Sequence, residues 1–309
     1  MNHVTAQFVG GRQRRRLEQR FGSHVGEWLT ELPAIVDALA AEWRLTVEVP
    51  APRGRTSVVI HVRRADGSEG VLKLSPESGL AVSEARMLRM WADSHRVPLV
   101  WGLDDDRGAV LMERIDGDTI ASRGTVPSME TVGALIAQLH ATDVPAGELA
   151  ELRPLTSRVQ FVFDFWNRER GEGPAAEVVP VSAMHRGFCR ARDLANGTVD
   201  VVPVHGDLHP GNVIDGGARG LVAVDPRACL GDGAVDAVDW ALWKATGVAE
   251  VERRVQVLSE AMDVDADRMF EWVRAFAPCQ AVAKANRGHV GTDEFDVLME
   301  LAEGAAVAR

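Results

Sequence analysis

The chain has 309 residues, 46% of them hydrophobic and 26% charged, with a net charge of -11 at pH 7. This is the makeup of a globular protein long enough for two lobes with separate cores, and it excludes disorder. No run approaches the roughly eighteen apolar residues of a membrane helix, the first residues lack a basic-then-apolar signal layout, and Cys189, Cys229 and Cys279 show no CxxC spacing. A membrane protein, a disulfide scaffold and a zinc site are therefore set aside, and a cytoplasmic location is expected.

Residues 1–115 are close to neutral, so the remainder carries the negative charge. Such a field repels nucleic acid and anionic lipid and attracts cations, although an acidic surface that merely aids solubility has the same composition. The basic cluster Arg12 to Arg16 has no interleaved aromatics and reads as the solvated start of a helix rather than a nucleic-acid contact.

In chain order, Trp28, Leu29, Leu32, Ile35, Val36, Leu39 and Trp43 recur at three and four, which predicts one amphipathic helix over Val25 to Trp43 opening the fold. Thr56 to Val62 is rich in β-branched residues, Ala65-Asp66-Gly67-Ser68 is a turn signal and Gly70 to Leu74 is apolar again, which predicts a hairpin. Ser83 to Ala92 reads as a helix with Ser83 placed to cap it, and Leu99 to Leu103 with Gly108 to Ile115 read as strands around an acidic turn. After Asp116-Gly117-Asp118 the period becomes helical, over Met129 to His140, Val159 to Arg170 and most of the chain from Ala234 onward. One strand pair, Asn212 to Ile214 and Leu221 to Val224, interrupts it. The fold expected is α+β and bilobal, of the protein-kinase-like kind. An antiparallel-sheet lobe over 1–115 would bind nucleotide, and a mostly helical lobe over 116–309 would carry the catalytic loop and the substrate site.

The chemistry concentrates in His205-Gly206-Asp207-Leu208-His209-Pro210-Gly211-Asn212 and in Asp225-Pro226 beyond it. Phosphoryl transfer needs a carboxylate to orient the acceptor hydroxyl and oxygen donors to hold magnesium on the nucleotide phosphates. Asp207 suits the first task; Asn212 and Asp225 suit the second, because a hairpin through Asp215 to Gly220 would return Asp225 to the neighbourhood of Asn212. Asp, Asn, Gly and Pro also build ordinary surface turns, but the apolar lead-in Val201 to Val204, the preceding His205 and a strand ending in Asp225 are a rarer combination.

Upstream, Lys73 closes a strand where a cation can meet the inner phosphates of ATP, and Glu84 on the next helix is in range to pair with it. Arg53-Gly54-Arg55-Thr56-Ser57 could cover phosphates with the backbone of Gly54 and the hydroxyls of Thr56 and Ser57, although it lacks the repeated glycines of a phosphate loop. Glu113 to Ile115, at the junction of the lobes, could offer backbone groups to an adenine edge.

The string HGDLHPGNV followed by VDP resembles the phosphotransferase family of aminoglycoside and choline kinases, which share a protein-kinase-like fold. With Trp28-Leu29, Leu32-Pro33, RADGSEGVLKLS and SEARMLRMW, the stretch from Trp28 to Trp243 is similar to the aminoglycoside/hydroxyurea resistance kinases, the streptomycin 6-phosphotransferases among them. The resemblance implies that Asp207 is the catalytic aspartate, that Asn212 and Asp225 hold magnesium, that Lys73 and Glu84 position the phosphates, that His205 braces the loop and that Asp236 is a structural aspartate opening the next helix. Gly233 stands where the family usually has proline, and Gly206 where streptomycin kinases often carry an aromatic residue.

The function expected is ATP- and Mg2+-dependent O-phosphorylation of a small cationic or polyhydroxylated molecule, an aminoglycoside such as streptomycin first, for antibiotic resistance. An amino sugar, a choline-like alcohol or hydroxyurea are alternative acceptors, and a catalytically silent nucleotide-binding protein is the alternative class. A protein kinase fits less well, since Asp225 to Asp236 leaves no room for a long activation segment. Nothing in the sequence bears on oligomeric state.

Overall fold

The computed structural model describes residues 8–22, 25–50, 57–197 and 200–304. The chain divides into two compact units, Met1–Asp116 and Gly117–Arg309.

The first unit is built on a five-stranded antiparallel sheet of β1 (Leu45–Pro50), β2 (Val58–Arg64), β3 (Glu69–Leu74), β4 (Val100–Asp104) and β5 (Ala109–Glu113), in the order β1-β2-β3-β5-β4. Because successive side chains on a strand point to opposite faces, Val58, Ile60, Val62, Leu72, Leu74, Ala109 and Leu111 gather on one side. There they form a buried core with Leu17 and Phe21 of α1 (Gly11–Phe21) and Leu29, Leu32, Val36 and Leu39 of α2 (Val25–Glu42). Lys73 lies between Leu72 and Leu74 and so belongs to the opposite face, in register with Val59 and Val110.

Three sequence expectations change here. The helix over Val25 does not open the fold: α1 precedes it, and Arg12 to Arg16 are the solvated start of that helix, which buries only Leu17 and Phe21, four apart. The sheet gains an edge strand that the sequence expectations lack, β1, which ends in Pro50, a residue sheets tolerate at their edges. Ser83 does not cap its helix: α3 (Ser78–Met90) begins earlier, after Glu77, and Ser83 lies inside it. Packing of Ala81, Ala85, Met87 and Leu88 carries that helix through a glycine in its first turn.

The second unit is helical around two small strand pairs. Its helices are α4 (Ile120–Arg123), α5 (Met129–His140), α6 (Ala146–Leu149), α7 (Leu155–Glu172), α8 (Ala175–Val178), α9 (Val181–Asn196), α10 (Val238–Leu242), α11 (Val248–Met262), α12 (Ala266–Ala285) and α13 (Asp293–Glu303). Helix α12 is the axis of the core, burying Met269, Trp272 and Val273 and packing against α9, α11 and α13. Helix α9 approaches it at Gly187, where a Cβ would lie 2.5 Å from the Ala275 carbonyl oxygen and 2.8 Å from Pro278 Cγ.

The strands of this unit are β6 (Val202–Val204), β7 (Val213–Asp215), β8 (Leu221–Ala223) and β9 (Cys229–Gly231). β6 pairs antiparallel with β9, and β7 with β8. The three cysteines form no disulfide; burial pushes the Cys229 thiol up to about 12 and raises that of Cys279 as well. Among the described residues no helix is long and apolar enough to cross a membrane.

Candidate active site

The loop from His205 to Asn212 leaves β6 and is fixed from three sides. The His205 and Gly206 amides donate to the two oxygens of the Asp236 carboxylate, at 2.7 and 2.9 Å. The His205 ring lies 3.1 Å through Nε2 from the Val224 carbonyl oxygen, and the His205 carbonyl accepts from the Arg227 amide at 2.9 Å. Burial holds the His205 imidazole down to about 4, so the ring is neutral near pH 7. Asp236 is fully buried, and burial favours its neutral acid. The hydrogen bond from His140, 3.0 Å away at Nε2, the electrostatic pull of that ring and the Gly206 amide outweigh that, leaving its carboxyl below the usual range.

Gly206 has φ +74, and a Cβ there would sit 2.5 Å from the Arg227 carbonyl oxygen. Both the left-handed backbone and this contact require glycine, which accounts for glycine immediately before Asp207. Gly233 has a comparable reason: a Cβ would lie 2.9 Å from His140 Nδ1, so the ring that reaches Asp236 occupies the space a proline would need.

Asp207 is half-buried and carries two side-chain partners. Arg158 Nη2 donates to Oδ1 at 2.9 Å, and Asn212 Nδ2 donates to Oδ2 at 3.3 Å and to the Asp207 carbonyl at 3.0 Å. Burial would raise its carboxyl, but the charges of Arg158, His209 and Arg227 prevail and hold it below the ordinary carboxylate range. Asp207 is therefore an ionised acceptor near neutral pH.

The second strand pair brings Asp225 back. Val213 faces Ala223 across the β7–β8 register, and the Val224 amide donates to the Asn212 carbonyl at 2.9 Å, so Asp225 follows directly beside Asn212. Asp225 adopts φ +61, uncommon for a residue other than glycine and found where surroundings fix a functional geometry. Asn212 spends its amide NH2 on Asp207, which leaves its carbonyl oxygen as a donor beside a carboxylate. Two oxygen donors of this kind fit a magnesium ion, which binds through one or two protein groups together with substrate phosphates and water. No cluster of three or more His, Cys, Asp or Glu that would form an all-protein metal site occurs among the described residues.

In the first unit, Lys73 Nζ and Glu84 Oε2 are 2.5 Å apart and both side chains are buried, so the sheet and α3 join the pair expected from sequence. Ser57 is buried at the head of β2, its carbonyl accepting from Gln13 Nε2 at 3.1 Å; Gly54 and Thr56 lie outside the described residues. The Glu113 amide donates to Leu99 and that of Arg114 to Glu69, at 2.8 and 3.2 Å. Ile115 is thus the first residue past these sheet bonds.

Sequence reasoning passed over Arg158 and His140. Each reaches its aspartate across a long sequence separation, 49 and 96 residues, and neither stands in a local motif. Only the packing of α7 and α5 against the loop reveals them.

A sheet unit followed by a helical unit whose loop aspartate and returning aspartate meet at a short hairpin is a kinase-like phosphotransferase architecture. The fold is shared with an ethanolamine kinase of Plasmodium vivax, at a TM-score of 0.58 and 12% identity, with 97% of this chain and 96% of that one covered. In sequence, residues 42–288 match the family of aminoglycoside/hydroxyurea antibiotic resistance kinases. The chain is 30% identical to a streptomycin 6-kinase of Streptomyces griseus, over 83% of this chain and 84% of that protein. It is 28% identical to a hydroxyurea phosphotransferase of Kitasatospora aureofaciens, over 91% and 82%. The chain belongs to the aminoglycoside/hydroxyurea antibiotic resistance kinase family and is a phosphotransferase.

Proposed function

We propose that the chain transfers the γ-phosphoryl group of ATP to a hydroxyl of a small cationic or polyhydroxylated molecule, an aminoglycoside such as streptomycin. The observation that carries this reading is the convergence of Asp207, Asn212 and the returning Asp225 on one loop, with Asp207 kept ionised. Asp207 accepts the hydrogen bond of the acceptor hydroxyl and orients its oxygen toward the γ-phosphorus. As the new P–O bond forms and the bond to the β–γ bridging oxygen breaks, ADP departs and the hydroxyl proton passes to Asp207.

Asn212 and Asp225 would hold a magnesium ion, which when bound offsets the charge of the phosphates. The residues up to 115 serve the nucleotide. Lys73, fixed by Glu84, would pair with its inner phosphates, the segment Gly54 to Ser57 would cover them, and the backbone from Glu113 to Ile115 would meet the adenine edge. The acidity of the residues beyond 115 favours a cationic acceptor.

Purified protein with MgATP should release ADP faster on addition of streptomycin, with phosphorylated streptomycin as the product by mass spectrometry. Hydroxyurea, choline and an amino sugar assayed in parallel distinguish the other acceptors. If no acceptor raises ADP release above the rate without one, the reading is overturned.

A further inference from the structure

We propose that Arg158 is a positioning residue for phosphoryl transfer, holding the Asp207 carboxylate in the one rotation that presents Oδ2 to the acceptor hydroxyl. This rests on the role given to Asp207 above. The guanidinium spans two parts of the catalytic loop: Nε donates to the Gly206 carbonyl at 2.8 Å and Nη2 to Asp207 Oδ1 at 2.9 Å. It thus ties the carboxylate to the backbone directly before it. A carboxylate turns easily about its terminal bond, which has a broad, roughly two-fold torsional preference, and the other restraint on it, from Asn212 Nδ2 to Oδ2, is long at 3.3 Å. The Arg158 fork therefore decides which oxygen is committed and which remains for the substrate.

The fork is itself supported. Its side chain is only 18% exposed, and its guanidinium lies 5.5 Å from the ring centroid of Phe161, one turn further along α7. Magnitude argues against a purely stabilising tie: an ion pair with a partly exposed carboxylate contributes little to stability. Misplacing a reacting group by about 1 Å can cost roughly 100-fold in rate. Placing a cation on Asp207 also makes it a weaker base, which suits orientation of a hydroxyl whose proton leaves late in a loose transition state.

The test is a double-mutant cycle on Arg158 and Asp207. It is read by turnover of MgATP with streptomycin and, in parallel, by slow MgATP hydrolysis, where water takes the acceptor's place. Arg158→Met should lower kcat by roughly 10- to 100-fold, leave the KM for ATP within about twofold and barely move the melting temperature. Arg158→Lys, which keeps the charge and loses the fork, should recover part of the loss. In an Asp207→Asn background, Arg158→Met should cost less than about twofold, because the group it positions is gone. An equal loss in both backgrounds, or an unchanged kcat for Arg158→Met, overturns the proposal. If the wild type hydrolyses ATP but ignores streptomycin, the acceptor reading fails while the hydrolysis arm still decides the role of Arg158.

Discussion

The carboxylate of Asp236 lies 2.7 Å from the backbone amide of His205, and this bond joins the opening of one helical segment to the base of the loop that carries Asp207. The same carboxylate accepts from the Gly206 amide and meets the ring of His140, so three groups converge on one buried anion. Asp236→Asn keeps the shape but turns an acceptor oxygen into an NH2 facing a donor. Chemical denaturation should show a loss of about 3 kcal/mol, the scale of breaking a buried charged network. A loss under about 0.5 kcal/mol, typical of a surface substitution, would remove Asp236 from this role.

The buried Lys73–Glu84 pair makes a different prediction. Removing one partner strands a charge in the sheet unit, so Glu84→Leu alone should cost about 3–5 kcal/mol, whereas Lys73→Met with Glu84→Leu should return to within about 1 kcal/mol of the wild type. Both variants should lose ATP affinity in calorimetry. Restored stability without restored binding separates the pair's use for the nucleotide from its structural cost.

His205 links stability to pH. Its imidazole sits at about 4 in the fold against an ordinary value of 6.5. Between those values the unfolded chain takes up a proton that the folded chain refuses, and stability falls as pH drops from 6.5 toward 4, by about 3 kcal/mol in full. Asp239 works in the opposite sense: burial first, then the charges of Asp207 and Asp236, push its carboxyl up to about 6 against the pull of His209 and Arg158, so protonation there favours the fold on acidification. The comparison of wild type with His205→Gln isolates the first effect. The variant should lose less stability than the wild type between pH 7 and pH 5, and parallel curves would exclude His205 as the source.

Much of this architecture was legible in the sequence because the determinants are local. The period over Met129 to His140 marks α5, which spans those residues, and the apolar runs flanking Asp215 to Gly220 mark the hairpin that returns Asp225. What escaped is carried by tertiary packing. Arg12 to Arg16 mark the start of α1, but its run to Phe21 rests on only two buried side chains, and α9 presents small residues, including Gly187, to α12. Arg158 resembles any helical arginine until α7 is packed beside the loop. Gly206 and Gly233 appear as departures from a family pattern in sequence, and only the Arg227 carbonyl and the His140 ring give each its steric reason.

The account turns on Asp207 as the group that orients the acceptor hydroxyl. Asp207→Asn removes the charge while retaining most of the side-chain volume, and the decisive measurement is its kcat beside its affinity for MgATP. The prediction is a fall in kcat of roughly 100- to 10,000-fold, the range for a general base, with nucleotide affinity within about twofold of the wild type. Turnover near that of the wild type, or a loss explained wholly by weaker ATP binding, would contradict it.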